Sequence, residues 1–243
     1  MVKLSVVMPV YNEVRTVSEI VERVLRVAVE KELIVVDDHS ADGSFARLED
    51  LAARHGEIRL HRHSRNLGKG AALRTGFGLV QGRYVVIQDA DLEYDPADYL
   101  RMLVPLEEGV ADVVYGSRFL EGDRQRFLLP NWLANRFLTA LSNSLSGLHL
   151  TDMETCYKMF RSELLGRFTL HSDRFEIEPE LTATFARLKV RLTEVPVSYQ
   201  GRTHRGGKKI GFADGLTAVR AIVQHNCFPR RVDPGRRSDH ERP

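Results

Sequence analysis

The sequence predicts an α/β protein in which a mostly parallel sheet is flanked by helices, and three observations carry that reading. Short β-branched runs alternate with helix-length amphipathic segments through the first half of the chain, the pattern of strands joined by helical crossovers. Each of those runs is apolar enough to be buried on both faces, as strands of a sheet covered on both sides are. Nearly every run ends in polar residues, and open sheets of this kind bind ligands beyond the carboxyl ends of their strands.

The first strand is expected at residues 4–8, followed by a helix within 14–29 whose Val17, Ile20, Val21, Val24, Leu25 and Ala28 recur at helical spacing. Further strands are expected at 33–37, 58–61, 84–88 and 112–115, with helices at 44–54 and 70–80. The second half differs in character. It offers an amphipathic segment at 129–148, a polar turn at 151–154, a helix at 178–187, a strand at 191–199, a glycine-rich basic stretch at 202–209 and a helix around 214–224. Residues 1–226 read as one unit with amphipathic C-terminal appendages, and 227–243, rich in Pro, Gly, Arg and Asp, as a disordered tail.

With 243 residues, 43% hydrophobic and 28% charged, the chain is long and apolar enough to bury one large core. A net charge of +2, with the basic residues spread among acidic ones and no aromatic interleaving, argues against a nucleic-acid interface. Cys156 and Cys227 form no CxxC pair, which argues against a thiolate metal site and suits a reducing, cytoplasmic compartment. The first nine residues lack a secretory leader pattern, and the most apolar stretch, 127–150, is interrupted by Asn131, Asn135, Arg136 and Asn143. No membrane crossing is expected.

The first strand runs into Pro9-Val10-Tyr11-Asn12-Glu13, where a dinucleotide-binding fold would place GxGxxG, so a dehydrogenase is disfavoured. Asp37-Asp38-His39-Ser40 with Asp42-Gly43 follows the second strand; its carboxylates suit a base or ribose, and Ser40 or Asp42 equally suits a helix cap. Arg65-Asn66-Leu67-Gly68-Lys69-Gly70 puts flexible backbone and a cation at a helix N-terminus, which favours a phosphate, although His63 rules out a Walker A loop. The sharpest signal is Asp89-Ala90-Asp91 behind a buried strand. If that segment is extended, both carboxylates face one way and suit a hard divalent cation. His39, His61 and His63 read as surface residues, and Glu178 and Glu180 as charges favoured at a helix N-terminus.

These motifs, in this order, resemble the family 2 glycosyltransferases, and within them the dolichyl-phosphate mannose synthase and bacterial polyprenyl-phosphate group. The resemblance runs from about residue 3 to about residue 224 and includes Gly116-Ser117-Arg118-Phe119 and Thr151-Asp152-Met153-Glu154-Thr155. It implies a GT-A fold with a Rossmann-like sheet, residues 1–120 forming the nucleotide-sugar and metal half and 121–226 the acceptor half. It also implies Mg²⁺ or Mn²⁺ on Asp89 and Asp91, joined by Glu93 where many relatives carry Gln. Pro9, Tyr11, Glu13, Asp38, Lys69, Asp89 and Ala90 would serve the donor. Arg118, Arg202 and Lys209 would serve phosphates, the last on a mobile segment whose Gly206-Gly207-Lys208-Lys209 spelling departs from the usual Gly-Lys-Ser-Lys.

The implied reaction moves a hexose from a nucleotide sugar to a polyprenyl phosphate. GDP-mannose is the favoured donor, with UDP-glucose or UDP-N-acetylglucosamine as alternatives. A phosphate monoester is already an anionic nucleophile and needs no strong base, and direct attack inverts the anomeric centre to a β-linked product. Asp91 and Arg118 would then be catalytic, and Arg118→Ala is expected to weaken phosphate handling without unfolding the chain. A soluble or polymeric sugar acceptor would need a base, for which Asp152 is the candidate. A non-catalytic nucleotide-binding or membrane-tethering protein is the reading of another class. Phe127, Leu128, Leu129, Trp132, Leu133, Phe137, Leu138 and Leu141, punctuated by Arg124, Arg126 and Arg136, suit a membrane interface or a packed helix, including one in a homo-oligomer. The expected location is peripheral, at the cytoplasmic face of a membrane.

Overall fold

The computed structural model describes residues 2–120, 129–201 and 212–228. One seven-stranded sheet forms in the order β3-β2-β1-β4-β6-β5-β7. Its strands are β1 Leu4–Val10, β2 Lys31–Asp37, β3 Ile58–Arg62, β4 Tyr84–Ile87, β5 Val113–Ser117, β6 Lys158–Arg161 and β7 Leu192–Pro196. All neighbours are parallel except β6, which runs antiparallel to both β4 and β5. The helices are α1 Val17–Arg26, α2 Ser44–Arg54, α3 Lys69–Phe77, α4 Tyr99–Glu107, α5 Leu129–Ser146, α6 Ile177–Arg187 and α7 Phe212–Cys227.

The core follows from the apolar pattern. Val6, Val7 and Met8 of β1, Leu33 to Val36 along β2 and every residue of β4 are fully enclosed, because helices cover both faces of these central strands. Val17, Ile20, Val21 and Val24 give α1 its buried stripe. The helix begins later than its periodicity suggests because residues 14–16 turn first, Thr16 N–H donating to the Glu13 carbonyl at 3.0 Å.

Two elements were not foreseen. β6 is four residues long and bounded by Lys158 and Arg161, so it lacks the uniformly apolar run that marks the other central strands. α4 carries Pro105 in its last turn, which reads as a breaker. α5 packs against α6 and α7, burying Leu138, Thr139 and Ser142, while Leu133, Phe137 and Leu145 remain exposed. Among the described residues no helix is long and apolar enough to cross a membrane.

Candidate active site

At the carboxyl edge of the sheet, the loops after β1 and β2 are sewn to each other. Asn12, at φ 56°, receives a hydrogen bond from Ala41 N–H and gives its own N–H to Ser40 Oγ, both at 2.9 Å. Asp42 accepts from Val14 N–H at 3.0 Å and from Ser44 N–H at 2.9 Å, so Ser40 and Asp42 serve the loops themselves. Pro9 lies within β1 opposite Val36, Tyr11 stands 42% exposed at the rim, and Glu13 accepts from Thr16 Oγ1 at 3.1 Å. The same Thr16 hydroxyl reaches the Ala90 carbonyl at 2.7 Å, tying the start of α1 to the acidic turn after β4.

Asp38 is buried, and its carboxylate accepts from Leu67 N–H at 2.8 Å, Gly68 N–H at 2.7 Å and His63 Nδ1 at 2.7 Å. It therefore organises the loop before α3. His63 is correspondingly buried rather than superficial, with its other ring nitrogen 2.9 Å from Thr75 Oγ1. The phosphate-cradle reading of residues 65–70 also changes. Ala71 N–H donates to the Asp173 carbonyl at 3.1 Å, and a Cβ at Gly70 would lie 2.1 Å from the Ser172 carbonyl oxygen. The glycines admit another backbone segment against the start of α3, and the N–H groups of Leu67, Gly68, Ala71 and Ala72 already have protein acceptors.

Lys69 projects from this loop between two carboxylates. Its ammonium donates to Asp89 Oδ2 at 3.0 Å, lies 2.8 Å from Asp89 Oδ1, and pairs with Glu178 Oε1 of α6 at 3.0 Å. Burial opposes its charge, yet Asp89 and Glu178 outweigh burial and hold the ammonium well above its ordinary pKa. Glu178 Oε2 in turn pairs at 2.5 Å with Lys158, a fully buried lysine that also donates to the Met153 and Thr155 carbonyls. Glu178 is thus a member of the site rather than a surface charge favoured at a helix end. Glu180 holds the neighbouring loop, accepting from His171 and Ser172 N–H groups at 2.9 and 2.8 Å.

Asp89 and Asp91 stand at the carboxyl end of β4, but the expected set of three with Glu93 is not assembled. Among the described residues no three His, Cys, Asp or Glu side chains come together as a metal group. Residues 90 and 91 form a turn and Leu92 takes φ 63°, so the alternation of an extended segment does not apply. Glu93 instead accepts from the Tyr199 hydroxyl at 2.8 Å, and its carbonyl accepts from Gln200 N–H at 2.8 Å. Two carboxylates still fit a magnesium-type ion, which commonly rests on one or two of them and completes its shell with water and substrate phosphate.

Arg118, just past β5, grips Asp152 through Nε at 2.6 Å and Nη2 at 2.7 Å, and its guanidinium lies 5.1 Å from the Tyr199 ring centroid. Asp152 is fully buried, and the backbone N–H groups of Thr151 and Asp152 are held by Glu194. Burial pushes the neighbouring Glu154 carboxyl up to about 7. Beneath the acidic turn, Tyr94 stacks on Tyr157 and Tyr99 and Tyr157 both donate to Gln88, a tyrosine floor that sequence reasoning missed. Lys158 had a signal: a lysine beside Met159 and Phe160 in an apolar run calls for a buried carboxylate partner. Arg202 and Lys209 lie outside the described residues.

An acidic turn at the carboxyl edge of a mixed, mostly parallel sheet, flanked by lysine and arginine, defines a GT-A fold. Glucosyl-3-phosphoglycerate synthase from Mycobacterium tuberculosis, solved in complex with uridine diphosphate, superposes with a TM-score of 0.70 at 21% identity, covering 94% of this chain and 81% of that one. The family described as Glycosyl transferase family 2 matches residues 5–168, and the chain belongs to it. It is 30% identical to a dodecaprenyl-phosphate galacturonate synthase of Rhizobium johnstonii, over 96% of this chain and 69% of the relative. It is also 30% identical to an undecaprenyl-phosphate mannosyltransferase of Micrococcus luteus, over 89% of this chain and 91% of the relative. An undecaprenyl-phosphate 4-deoxy-4-formamido-L-arabinose transferase of Proteus mirabilis is 31% identical, and there the chain spans only 63% of the relative's length.

Proposed function

We propose that the chain transfers a sugar, most simply a hexose from GDP-mannose or a UDP-sugar, to a polyprenyl phosphate with inversion at the anomeric carbon. The observation that carries this reading is the Arg118–Asp152 pair. The one carboxylate that sequence reasoning offered as a base for a hydroxyl acceptor is buried and held by Nε and Nη2 of the Arg118 guanidinium. An acceptor that is already an anion dispenses with such a base. Two relatives aligned over most of this chain bear names specifying polyprenyl phosphates, which agrees with it.

In this reading Asp89 and Asp91 would hold Mg²⁺ or Mn²⁺, which would supply Lewis-acid stabilisation of the departing diphosphate. Lys69, 2.8 Å from Asp89, would add positive charge where the leaving group develops negative charge. Tyr11 at the rim and Glu13 behind it belong to the base and ribose end, and Asp38 shapes that end by holding the Leu67–Gly68 backbone. Arg118 orients the acceptor phosphate from its place between Asp152 and Tyr199. Arg202 and Lys209 would add cations from beyond the described residues. Exposed Leu133, Phe137 and Leu145 of α5, with Leu216, Val223 and Phe228 at α7 and just beyond it, supply apolar surface for peripheral contact with a membrane.

The test is a radiolabelled donor screen of GDP-mannose, UDP-glucose, UDP-N-acetylglucosamine and UDP-galacturonate, with Mg²⁺ or Mn²⁺, with and without undecaprenyl phosphate in detergent. Label partitioning into the lipid phase only when both metal and acceptor are present is the expected result. Donor consumption without lipid labelling would overturn the acceptor assignment. No turnover of any donor would favour the non-catalytic reading.

A further inference from the structure

Lys69 has two carboxylates to choose from, and the two are unequally used. Asp89 receives its hydrogen bond, whereas Glu178 Oε1, 3.0 Å from the same ammonium, is buried and makes no hydrogen bond among the described residues. A buried carboxylate oxygen left in that state is an acceptor in waiting, since an unfilled buried acceptor is costly. Glu178 is meanwhile anchored from behind by Lys158, at 2.5 Å from its other oxygen, so it cannot swing toward solvent. Asp89 is the more open of the pair, its side chain 26% exposed against 5% for Glu178. A divalent ion arriving at Asp89 therefore meets a cation already seated there, with a second carboxylate, ion-paired to the same ammonium at 3.0 Å, able to keep it when Asp89 is taken.

We infer that Lys69 is a built-in counter-cation that competes with the divalent metal for Asp89, and that Glu178 is the positioning residue that receives the lysine when metal binds. The inference rests on the transferase reading above. It gives the site a defined order: metal entering alone must displace an ammonium, whereas metal arriving with a nucleoside diphosphate brings phosphate oxygens that can take up the ammonium's free donors. Lys69 thereby weakens binding of the bare ion and strengthens binding of the metal–diphosphate pair. A lysine serving only as a diphosphate ligand would leave bare-metal affinity unchanged, and one serving only to support the fold would move both affinities in the same direction.

The experiment follows free Mn²⁺ by electron paramagnetic resonance while it is titrated into the full chain, first alone and then with saturating GDP or UDP. Lys69→Gln keeps a hydrogen-bond donor at Asp89 and removes the charge. It should bind bare Mn²⁺ about tenfold more tightly than wild type, given the size of a unit-charge repulsion at such distances. In the presence of diphosphate the same variant should lose affinity. Glu178→Gln, which leaves the ammonium with Asp89 alone, should bind bare Mn²⁺ more weakly than wild type. Circular dichroism confirms folding, and Lys69→Met serves if the glutamine variant does not fold. Bare-Mn²⁺ affinity in the Lys69 variant equal to or below wild type would overturn the inference. Donor turnover by the wild-type chain is measured in parallel. If it is present, such a result sinks only the counter-cation role; if it is absent, the transferase reading itself has failed.

Discussion

Arg118 is held by Asp152 through two guanidinium nitrogens, and that pairing determines what substitution at either position does. Arg118→Ala leaves a fully buried carboxylate with only the residue 118 backbone N–H, at 3.1 Å, as a hydrogen-bond donor among the described residues. Removing one partner of a buried pair typically costs about 3 kcal/mol or more. The variant should therefore unfold at a clearly lower urea concentration than wild type, a cost that reading Arg118 only as a phosphate ligand did not include. Arg118→Met combined with Asp152→Leu removes both charges together and should recover most of that stability while turnover stays lost. An unchanged urea midpoint for Arg118→Ala alone would show that the pair contributes little to the fold. Of the residues chosen from the sequence, Asp89, Asp91, Lys69 and Arg118 could be proposed because each follows a strand end or opens a helix, and Asp152 because a polar turn and the family resemblance pointed to it. Glu178 and Tyr199 were not legible in that way. Their importance comes from partners reached across the fold, and local pattern carries no record of those partners.

At the scale of elements, the start of α3 shows the same limit. Gly68 and Gly70 beside Lys69 read as a phosphate cradle, since flexible backbone, charge and a helix N-terminus are the local ingredients of one. The structure uses the glycines to admit residues 172–173, with Gly68 at φ 99° and both positions facing backbone carbonyls closer than a Cβ could tolerate. Gly70→Ala should push the two segments apart at a cost of about 2 kcal/mol, the usual range for overpacking. It should also displace Lys69 from between Asp89 and Glu178. Limited proteolysis should then show faster cleavage around residues 168–175 together with weaker donor binding. Cleavage at the wild-type rate would mean that the contact is not needed to hold this loop. The early strands and helices were readable because apolar runs and helical periodicity each signal one element. β6 escaped because it is short and flanked by charge, and α4 because Pro105 sits in its final turn.

On the whole-molecule scale, the second half of the chain closes the site that the first half begins, and the seam between them is where charge is buried. Glu178 from α6 meets Lys69 on α3, Lys158 enters between β4 and β5, and Arg118 reaches Asp152 across the sheet edge. Glu154 sits in this seam, facing Lys158, Glu178, Arg118 and Asp152, with one carboxyl oxygen making no hydrogen bond among the described residues. Burial raises its pKa from 4.5 to about 7. In the folded state the carboxyl therefore keeps its proton after the unfolded chain has released it. Its contribution to stability is complete below the unfolded pKa and is lost as pH rises through the folded one, a change of roughly 3 kcal/mol at most. Glu194, raised in the same direction by burial, adds to the slope, while Asp112, held at about 2 by its bonds to Arg191, titrates below this window. Wild-type stability from urea unfolding should thus fall between about pH 5 and about pH 7.5. Glu154→Gln, neutral at every pH, should flatten most of that fall and be the more stable protein at the upper end. If the variant shows the same pH slope as wild type, Glu154 is not the group that carries it, and the seam must relax enough to solvate a charge there.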